Sequence, residues 1–246
     1  MLRVNISILL LVSSISILSA CTSADKKADT PEGAFAIAQD FDKEERFEEA
    51  IKRYQDVKNK FPYSKYATMS EISIADAHFK QESFAEAQVS YQAFKDLHPK
   101  HPQIDYVTYR LALSFFNQLP SSIDRDLALA QSSILYFDEV ISQFPNSQYV
   151  KDSQEKREAT LKMLAGKEEY VADFYFTRDI FESALPRYEG LLKKYPGLGF
   201  DARALSRASI CASKLGDLDK SKKYLSTLQE KFPNSDELNL TKKELR

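Results

Sequence analysis

Reactive side chains are few in this sequence, and the histidines are the first to consider. His98 and His101 form an H-x-x-H pair in the segment HPKHP, and His78 stands apart from them. Such a pair could supply two zinc ligands, but each of these histidines directly precedes a proline and no third ligand type is near. We interpret the pair as turn residues between helices and His78 as a core or groove residue, so no metal site is predicted.

The sequence also contains no catalytic motif. The segment GLGF at 197–200 has two glycines but lacks the strand and helix that flank a phosphate-binding loop. No serine lies in a nucleophile elbow, no H-E-x-x-H occurs, and the acidic segment DFDKEERFEEA at 40–50 is typical of a solvated helix face. We therefore predict neither an enzyme activity nor a cofactor.

Cys21 is the residue whose surroundings predict a specific modification. Arg3 is followed by an apolar run at 6–18 that is too short to span a bilayer, and small residues lead into the cysteine. This order is typical of bacterial lipoproteins, so residues 1–20 are predicted to be a signal peptide and Cys21 an acylated, palmitate-bearing N-terminus. The alternative is an ordinary secretory signal with an incidental cysteine. Because Thr22 replaces the aspartate typical of inner-membrane retention, we expect the outer membrane.

The second cysteine and the segment after Cys21 follow from this interpretation. If Cys21 is acylated, Cys211 has no partner for a disulfide, and its small neighbours in ALSRASICASKL favour a buried structural thiol. The polar segment 21–33 has no apolar periodicity and predicts a flexible tether. An acyl group on this tether would hold the protein to a membrane surface without spanning it.

A recurring phrase indicates which elements make up the rest of the chain. KFPYSKY, QFPNSQY and KFPNSDE start at residues 60, 143 and 231, and five such prolines are spaced by 37, 46, 51 and 37 residues. Each proline follows a small residue, an apolar or aromatic residue four positions on, and another three positions later. The five instances are Ala50-Tyr54-Val57-Pro62, Ala87-Tyr91-Phe94-Pro99, Ser133-Phe137-Val140-Pro145, Ala184-Tyr188-Leu191-Pro196 and Ser221-Leu225-Leu228-Pro233.

This register predicts helices that end before each proline. Steps of four and three place the three side chains on one helical face, and proline disfavours helical geometry in the residue before it. Asn or Ser after the proline is expected to form the turn and cap the next helix. Ala38-Phe41, Ala112-Phe115 and Ala172-Tyr175 repeat a small-x-x-aromatic step that marks the preceding helix of each pair, with Ala75-His78 as a looser match.

The pattern is that of the tetratricopeptide repeat, whose period is about 34 residues. We predict an all-α, tetratricopeptide-like solenoid of about five helix pairs over residues 34–246. The predicted repeats span about 34–63, 67–100, 103–146, 148–197 and 200–234. The added length after Pro99 predicts a loop near NQLPSSIDRD and a long helix from about Gln148 to Thr177 that joins two halves of the array.

The charge balance argues against one class of partner. The formal net charge is −2, which gives no general attraction to nucleic acid. The segment 187–246, however, has 13 Lys and Arg against 8 Asp and Glu, a net charge of +5. The C-terminal repeats are therefore the better candidate for docking an acidic surface, the alternative being a solvated lysine-rich face.

Several segments resemble one family, the BamD outer-membrane lipoproteins. They are HPKHPQIDYVTYR at 98–110, DRD at 124–126, FPNSQYV at 144–150 and EEYVADFYFTRDIFESALPRYEGLLKKYPG at 168–197, which follow a lipoprotein-type cysteine in the family's order. The resemblance covers about 34–196, fades in the last repeat, and includes a shorter loop at 119–124. It implies a lipid-anchored scaffold on the periplasmic face of the outer membrane, within the machine that assembles β-barrels.

The resemblance also implies partners and the residues that bind them. The C-terminal repeats would bind a POTRA domain of an Omp85-type protein, with Arg187 matching a family arginine at that contact and Arg178 and Glu189 near it. Other assembly lipoproteins would join the complex. The N-terminal repeats would receive unfolded outer-membrane proteins, and the tyrosines expected at the turns are the candidates for this contact: Tyr63, Tyr66, Tyr106 and Tyr109.

Two other classes of function stay open at this point. Repeat architecture alone is equally compatible with a lipid-anchored adaptor in envelope division or peptidoglycan synthesis. An enzyme built on helical repeats would need a convergent acid–base or metal constellation, and the sequence offers none.

Overall fold

The computed structural model describes residues 27–246, in which the regular structure is helical throughout. Cys21, the signal peptide and most of the predicted tether lie outside the described residues. The helices are α1 Pro31–Lys43, α2 Phe47–Lys60, α3 Lys65–Lys80, α4 Phe84–Leu97, α5 Ile104–Asn117, α6 Ala130–Gln143, α7 Val150–Phe176, α8 Phe181–Lys194, α9 Asp201–Lys214, α10 Leu218–Lys231 and α11 Asp236–Glu244. The predicted all-α class is confirmed.

The helices pack as a ladder in which each element contacts mainly its neighbours in sequence. The small-apolar-apolar register forms the core of this ladder: Ala50, Tyr54 and Val57 are buried, and so are their counterparts in α4, α6 and α8. In α10 the middle position, Leu225, is only half-buried, while Ser221 and Leu228 are buried. Each fully buried apolar or aromatic side chain contributes about 1.5–3 kcal/mol, so the repeated register is what holds successive helices together.

Proline ends the second helix of each pair, as predicted. The residue before each proline, for example Phe61, His98 or Tyr195, has left the helical conformation, with ψ of 53°, 53° and 47°, and its N–H donates to the carbonyl four residues earlier. Ser64 and Ser235 cap the following helices by accepting from the N–H of Ala67 and Leu238. Ser147 does not cap α7; its hydroxyl donates to Asp105 at 2.7 Å, so the capping prediction is wrong there.

In four of the five pairs, all but α5–α6, the turn inside the pair uses a left-handed residue that the sequence analysis missed. Glu45, Glu82, Asp179 and Gly216 have φ of 59°, 63°, 60° and 82°. In each case the next N–H donates to a carbonyl five residues earlier, as Ser83 does to His78 at 2.9 Å. This is the Schellman pattern, which satisfies the last carbonyls of the first helix and reverses the chain.

Two boundaries differ from those expected. The last three residues of the predicted tether, 31–33, form the first turn of α1, because Thr30 caps the helix by accepting from the N–H of Gly33 at 3.1 Å and Pro31 is pre-set for the first helical position. At the other end, α11 lies beyond the fifth predicted repeat. Its Leu238 packs with Leu205 and Leu228, and it covers the end of the array.

The long helix and the loop before it lie where they were predicted. The first half of α7 contacts α5 and α6, through Asp152 to Tyr109 and Arg157 to Asp138, and its second half packs on α8 and α9. The loop at 118–129 packs against α7 at Gly166, where the Ile123 side chain lies 3.5 Å from the position that a Cβ would take. No helix among residues 27–246 is long and apolar enough to cross a membrane.

Candidate binding surfaces

The first helices of successive pairs lie side by side and form one face of the array, which we call the inner face. Ion pairs and hydrogen bonds cross from helix to helix on this face, as from Lys80 of α3 to Asp42 of α1 at 2.7 Å. The second helices form the outer face, where Lys95 of α4 contacts Glu139 of α6 at 2.9 Å. Solenoid curvature makes such extended faces the usual binding surfaces of repeat proteins.

Arg187 lies exposed on α8, as its position in the register predicts. It follows the exposed Pro186 and precedes the buried Tyr188. Its guanidinium forms an ion pair with Glu168 of α7, with a nitrogen–oxygen distance of 3.3 Å and side chains that remain 45% and 28% exposed. An ion pair this exposed contributes little to stability, so Arg187 is available to a partner that offers a better acceptor.

Arg187, Glu189 and Arg178 do not form one charged cluster. Two residues apart on a helix, Arg187 and Glu189 point to different sides of α8. Glu189 contacts α10, where it accepts from the Tyr224 hydroxyl at 2.6 Å and pairs with Lys220 at 3.3 Å. The closeness of Arg187 and Glu189 in the sequence therefore does not place their side chains on the same side of α8.

Arg178 lies in the turn after α7 and is held by its own helix end. Its guanidinium stacks over the Phe174 ring at 3.7 Å and donates to the Phe174 carbonyl at 3.0 Å. Tyr170, one helical turn before Phe174, is also exposed. Arg178 thus forms part of an exposed aromatic strip on α7 rather than part of the α8 surface.

Of the four predicted substrate tyrosines, Tyr63 alone has a fully exposed ring. It lies in the α2–α3 turn with a relative exposure of 102%. Tyr66 is in the first turn of α3, where its ring packs against Phe35 with a centroid distance of 5.5 Å. A partner could contact Tyr63 without rearrangement, whereas Tyr66 is part of the packing between α1 and α3.

Tyr106 and Tyr109 are helical residues of α5, so the expectation that they lie at turns is wrong. Tyr106 donates to Asp76 at 2.6 Å and Tyr109 donates to Asp152 at 2.7 Å. The Tyr109 ring stacks on Tyr149 at 4.6 Å. Burial, reinforced by the neighbouring carboxylates, raises the pKa of both tyrosines. Both half-buried rings line the inner face, with hydroxyls that are already engaged.

A polar cluster on the inner face of the N-terminal repeats was not anticipated. Asp76 of α3 accepts from Tyr91 and from Tyr106, and Arg110 donates to the Tyr91 hydroxyl at 3.1 Å. The Arg110 guanidinium lies 3.6 Å from the centre of the Phe79 ring and 3.9 Å from an Asp76 oxygen. Every charged member therefore has a partner within the cluster.

A second cluster repeats this arrangement in the C-terminal half. Asp173 of α7 accepts from Tyr188, and Arg207 of α9 stacks over Phe176 at 4.1 Å. Here Arg203 is the additional partner of Asp173, and it also lies 3.7 Å from Glu169. The signal that could have revealed both clusters is the Asp-x-x-aromatic step of α3 and α7, with tyrosine fifteen residues after the aspartate and arginine thirty-four residues after it.

The structure also shows the surroundings of Cys211 and of the histidine pair. Cys211 is buried among the core residues of α8 and α9, and burial raises the pKa of its thiol to about 12, so it is unreactive. His98 ends α4 and contacts Glu71 at 2.7 Å, and the His101 ring packs against Phe94. Residues 27–246 contain no group of three or more potential metal ligands.

The fold and the inner-face clusters define a helical-repeat protein of the tetratricopeptide class. The sequence model of the family described as YfiO, outer membrane lipoprotein, matches residues 27–228, and the chain belongs to this family.

The chain is also similar to individual proteins over most of its length. The outer membrane protein assembly factor BamD of Neisseria meningitidis serogroup A is 29% identical over 245 residues, which cover 93% of this chain and 92% of the relative. BamD of Rickettsia prowazekii is 30% identical over 190 residues, covering 77% and 75% of the two chains. Among solved structures, the TPR2AB domain of yeast Sti1 aligns with a TM-score of 0.47 at 16% identity, covering 86% of this chain and 81% of that domain.

Proposed function

We propose that this chain is a periplasmic scaffold of the machine that assembles β-barrel proteins in the outer membrane. The observation that carries the proposal is the family match over residues 27–228, supported by relatives named as outer membrane protein assembly factors. The proposed mechanism is delivery: the repeats hold an aggregation-prone segment in an extended form and pass it to the barrel protein. Helical repeats supply surface for this task and require no catalytic group.

The membrane attachment in this proposal is an acyl group on Cys21. The signal peptide at 1–20 would be removed, and the polar residues after the cysteine would set the repeats off the membrane. Replacement of Cys21 by serine should release the chain from outer-membrane fractions into the soluble periplasmic fraction. Retention of the Cys21→Ser protein in the outer membrane would show that attachment comes from a partner instead.

The proposed partner surface is on α8 around Arg187. An Omp85-type protein would present an acidic side chain from its POTRA domain, which Arg187 would bind in exchange for Glu168. The exposure of the present ion pair supports this exchange, because little stability is lost when it opens. Glu189 lies on the side of α8 that contacts α10, and Arg178 lies at the end of α7, so both would contact other parts of the partner or other assembly lipoproteins.

The proposed substrate surface is the N-terminal part of the inner face, with Tyr63 at its edge. An aromatic residue near the C-terminus of an unfolded barrel protein would pack on the exposed Tyr63 ring. Tyr66, Tyr106 and Tyr109 would line the path beyond it. An extended segment bound there would pair its backbone with polar groups of the repeats.

The experiment is purification of the tagged full chain in mild detergent with identification of bound proteins by mass spectrometry. Arg187→Glu is compared with Arg53→Glu, which reverses another exposed, ion-paired arginine on α2. Recovery of an Omp85-type protein that is lost only with Arg187→Glu supports both the function and the docking surface. Recovery of an Omp85-type protein with both variants would support the proposed function but would mean that the docking surface is not at Arg187. Recovery of division or cell-wall factors without any Omp85-type protein would instead identify a different envelope adaptor.

A further inference from the structure

The C-terminal end of the inner face contains a groove that the proposed function does not use. Two adjoining open cavities of about 250 and 320 Å³ lie between α9, α11 and the α7–α8 turn. Arg207 and Leu240 line both cavities, so the two cavities meet at these side chains, and we refer to them together as the groove.

The middle of the groove is apolar. Leu240 of α11 is 45% exposed there, although it belongs to a helix whose other apolar residue, Leu238, is buried against the array. Ile210 of α9 and Phe176 of α7 line the groove beside it. An apolar side chain from a partner would therefore find a matching surface, and its burial would be favourable by about 25 cal/mol for each Å² removed from water.

Both ends of the groove are acidic. Asp236 and Glu237 line one end, and Asp179 and Glu244 line the other. None of these four carboxylates has an ion-pair partner within 4 Å among residues 27–246. Their charge is therefore not balanced by a direct contact.

The cations that face the groove do not offset this charge. Arg203 is already held by Glu169 and Asp173, which leaves Arg207 and Lys214 against the four carboxylates. Burial raises the pKa of Glu169, and Arg203 opposes that shift. Arg207 stacks on Phe176 and has no hydrogen bond or ion pair of its own in the described part of the chain, so its N–H groups are free to donate.

We propose that this groove binds an extended polypeptide segment in which an apolar residue is flanked on both sides by lysine or arginine. The apolar side chain would lie against Leu240 and Ile210, the basic side chains against the carboxylates at either end, and Arg207 would donate to a backbone carbonyl. The nine residues of α11 extend over about 13 Å, at 1.5 Å per residue. An extended chain covers that distance in about four residues, which places the basic residues two positions before and two after the apolar one.

The sign of this charge is opposite to that of the neighbouring outer face. Lys222 and Lys223 are exposed on α10, a helix that has four lysines against two acidic residues. The net charge of segment 187–246 therefore combines contributions from two surfaces of opposite sign, the acidic groove and the basic face of α10. A basic segment would be directed to the inner face and repelled from α10.

The test uses the purified full chain in detergent and fluorescence anisotropy with labelled twelve-residue peptides. The probe has a central leucine with lysine two positions away on each side; a second peptide has glutamate at those positions, and a third has serine in place of the leucine. The lysine–leucine peptide should bind saturably and more weakly as salt is raised, and the other two should bind at least tenfold more weakly. Equal binding of the glutamate peptide, or no saturable binding of the probe, would overturn the proposal.

Leu240→Lys is the decisive variant, because it removes the apolar surface and adds a repelling charge at an exposed helical position that tolerates lysine. Leu240→Lys should weaken binding of the lysine–leucine peptide at least tenfold. Glu244→Lys should also weaken this binding, but by a smaller factor. Leu135→Lys makes the same change at an exposed position of α6 and should bind like the unmodified chain. If Leu135→Lys weakens peptide binding as much as Leu240→Lys, or if Leu240→Lys does not weaken it, the peptide does not bind in the groove. The titration contains no assembly partner, so its result is independent of the proposed function.

Discussion

Asp76 and Asp173 occupy the same position in two helix pairs and accept a hydrogen bond from equivalent tyrosines. Tyr91 lies fifteen residues after Asp76, and Tyr188 lies fifteen residues after Asp173. In each pair the tyrosine is a buried residue of the repeat register, so its ring contributes to the core while its hydroxyl reaches the inner face. The aspartate satisfies a hydroxyl that would otherwise be costly to bury.

The two clusters differ at the position four residues before the stacked arginine, and this difference determines whether that arginine has a polar partner within its cluster. Tyr106 and Arg203 both lie four residues before the stacked arginine of their cluster, and both contact the aspartate. With tyrosine there, Arg110 keeps its contacts with Tyr91 and Asp76. With Arg203 there, the aspartate is already paired and Arg207 is left to donate to a ligand.

Replacement of Asp76 by alanine should lower the free energy of unfolding by about 3 kcal/mol. Two tyrosine hydroxyls and Arg110 lose their shared acceptor, and hydrogen bonds to a charged group contribute about 1.5–3 kcal/mol each. Chemical denaturation measures the change. Asp96→Ala removes an exposed aspartate whose hydrogen-bond partner among residues 27–246 is Gln92, and this change should stay within about 0.5 kcal/mol. Similar losses for the two variants would mean that the cluster adds nothing beyond an ordinary surface contact.

The helix pairs were predictable because two strong local signals agree. The small-apolar-apolar register specifies which face is buried, and the following proline ends the helix, as at Tyr188, Leu191 and Pro196. The turns inside each pair were not predictable in this way. Glu45 and Glu82 adopt a left-handed conformation without glycine, and their sequences contain no turn signal.

The binding surfaces were predictable only in part, because surface residues have no periodic signal. Exposure of Arg187 followed from its place beside the buried Tyr188, but the separation of Arg187 from Glu189 depends on which helix lies on each side of α8. Tyr106 was predicted to contact a substrate because local spacing in the sequence does not show that its hydroxyl binds an aspartate of another helix. The same holds for the acidic groove, which joins residues of α7, α9 and α11.

Gly216→Ala should destabilise the protein by about 1 kcal/mol through the backbone alone. Its φ is 82°, and no atom lies within 4 Å of the added Cβ, so left-handed strain is the only cost. Glu82→Gly, at the equivalent turn with φ of 63°, should have the opposite sign or no effect. Thermal unfolding of both variants checks the pair. Equal destabilisation by both would show that the side chain of Glu82, rather than the backbone conformation, matters at this turn.

Protonation of His78 should destabilise the fold as the pH falls below about 6.5. Burial lowers the pKa of His78 in the folded chain, so the unfolded chain binds the proton more readily and the free energy of unfolding decreases toward acid. His78→Phe, which restores the aromatic residue of the repeat, should reduce the loss of melting temperature between pH 7 and pH 5. Burial and His98 lower the pKa of His101 as well, but its ring lies in a turn and is less enclosed, so His101→Asn should change the pH profile less. An unchanged pH profile for His78→Phe would place the sensitivity at other groups.

Tyr63→Ala should weaken capture of unfolded barrel proteins without lowering stability. The Tyr63 ring has no buried surface to lose, so its removal should alter the free energy of unfolding by less than about 0.5 kcal/mol. Crosslinking of a photoreactive residue placed at 63 to a peptide ending in a β-strand with a terminal aromatic measures the contact. Leu97, exposed on α4 at the outer face, is the control position. Equal crosslinking at 63 and 97 would contradict a specific substrate surface at Tyr63.

A charge swap separates the two roles that Arg187 could have. If Arg187 serves the fold through Glu168, the double variant Arg187→Glu/Glu168→Arg should behave like the unmodified chain, because the ion pair is re-formed in reverse. If Arg187 binds an acidic partner residue, the double variant should fail to recover the Omp85-type protein although its melting temperature is unchanged. The expected stability change for either single variant is below about 1 kcal/mol, since both side chains are partly exposed. Recovery of the Omp85-type protein by the double variant would assign Arg187 to the α7–α8 packing and remove it from the partner surface.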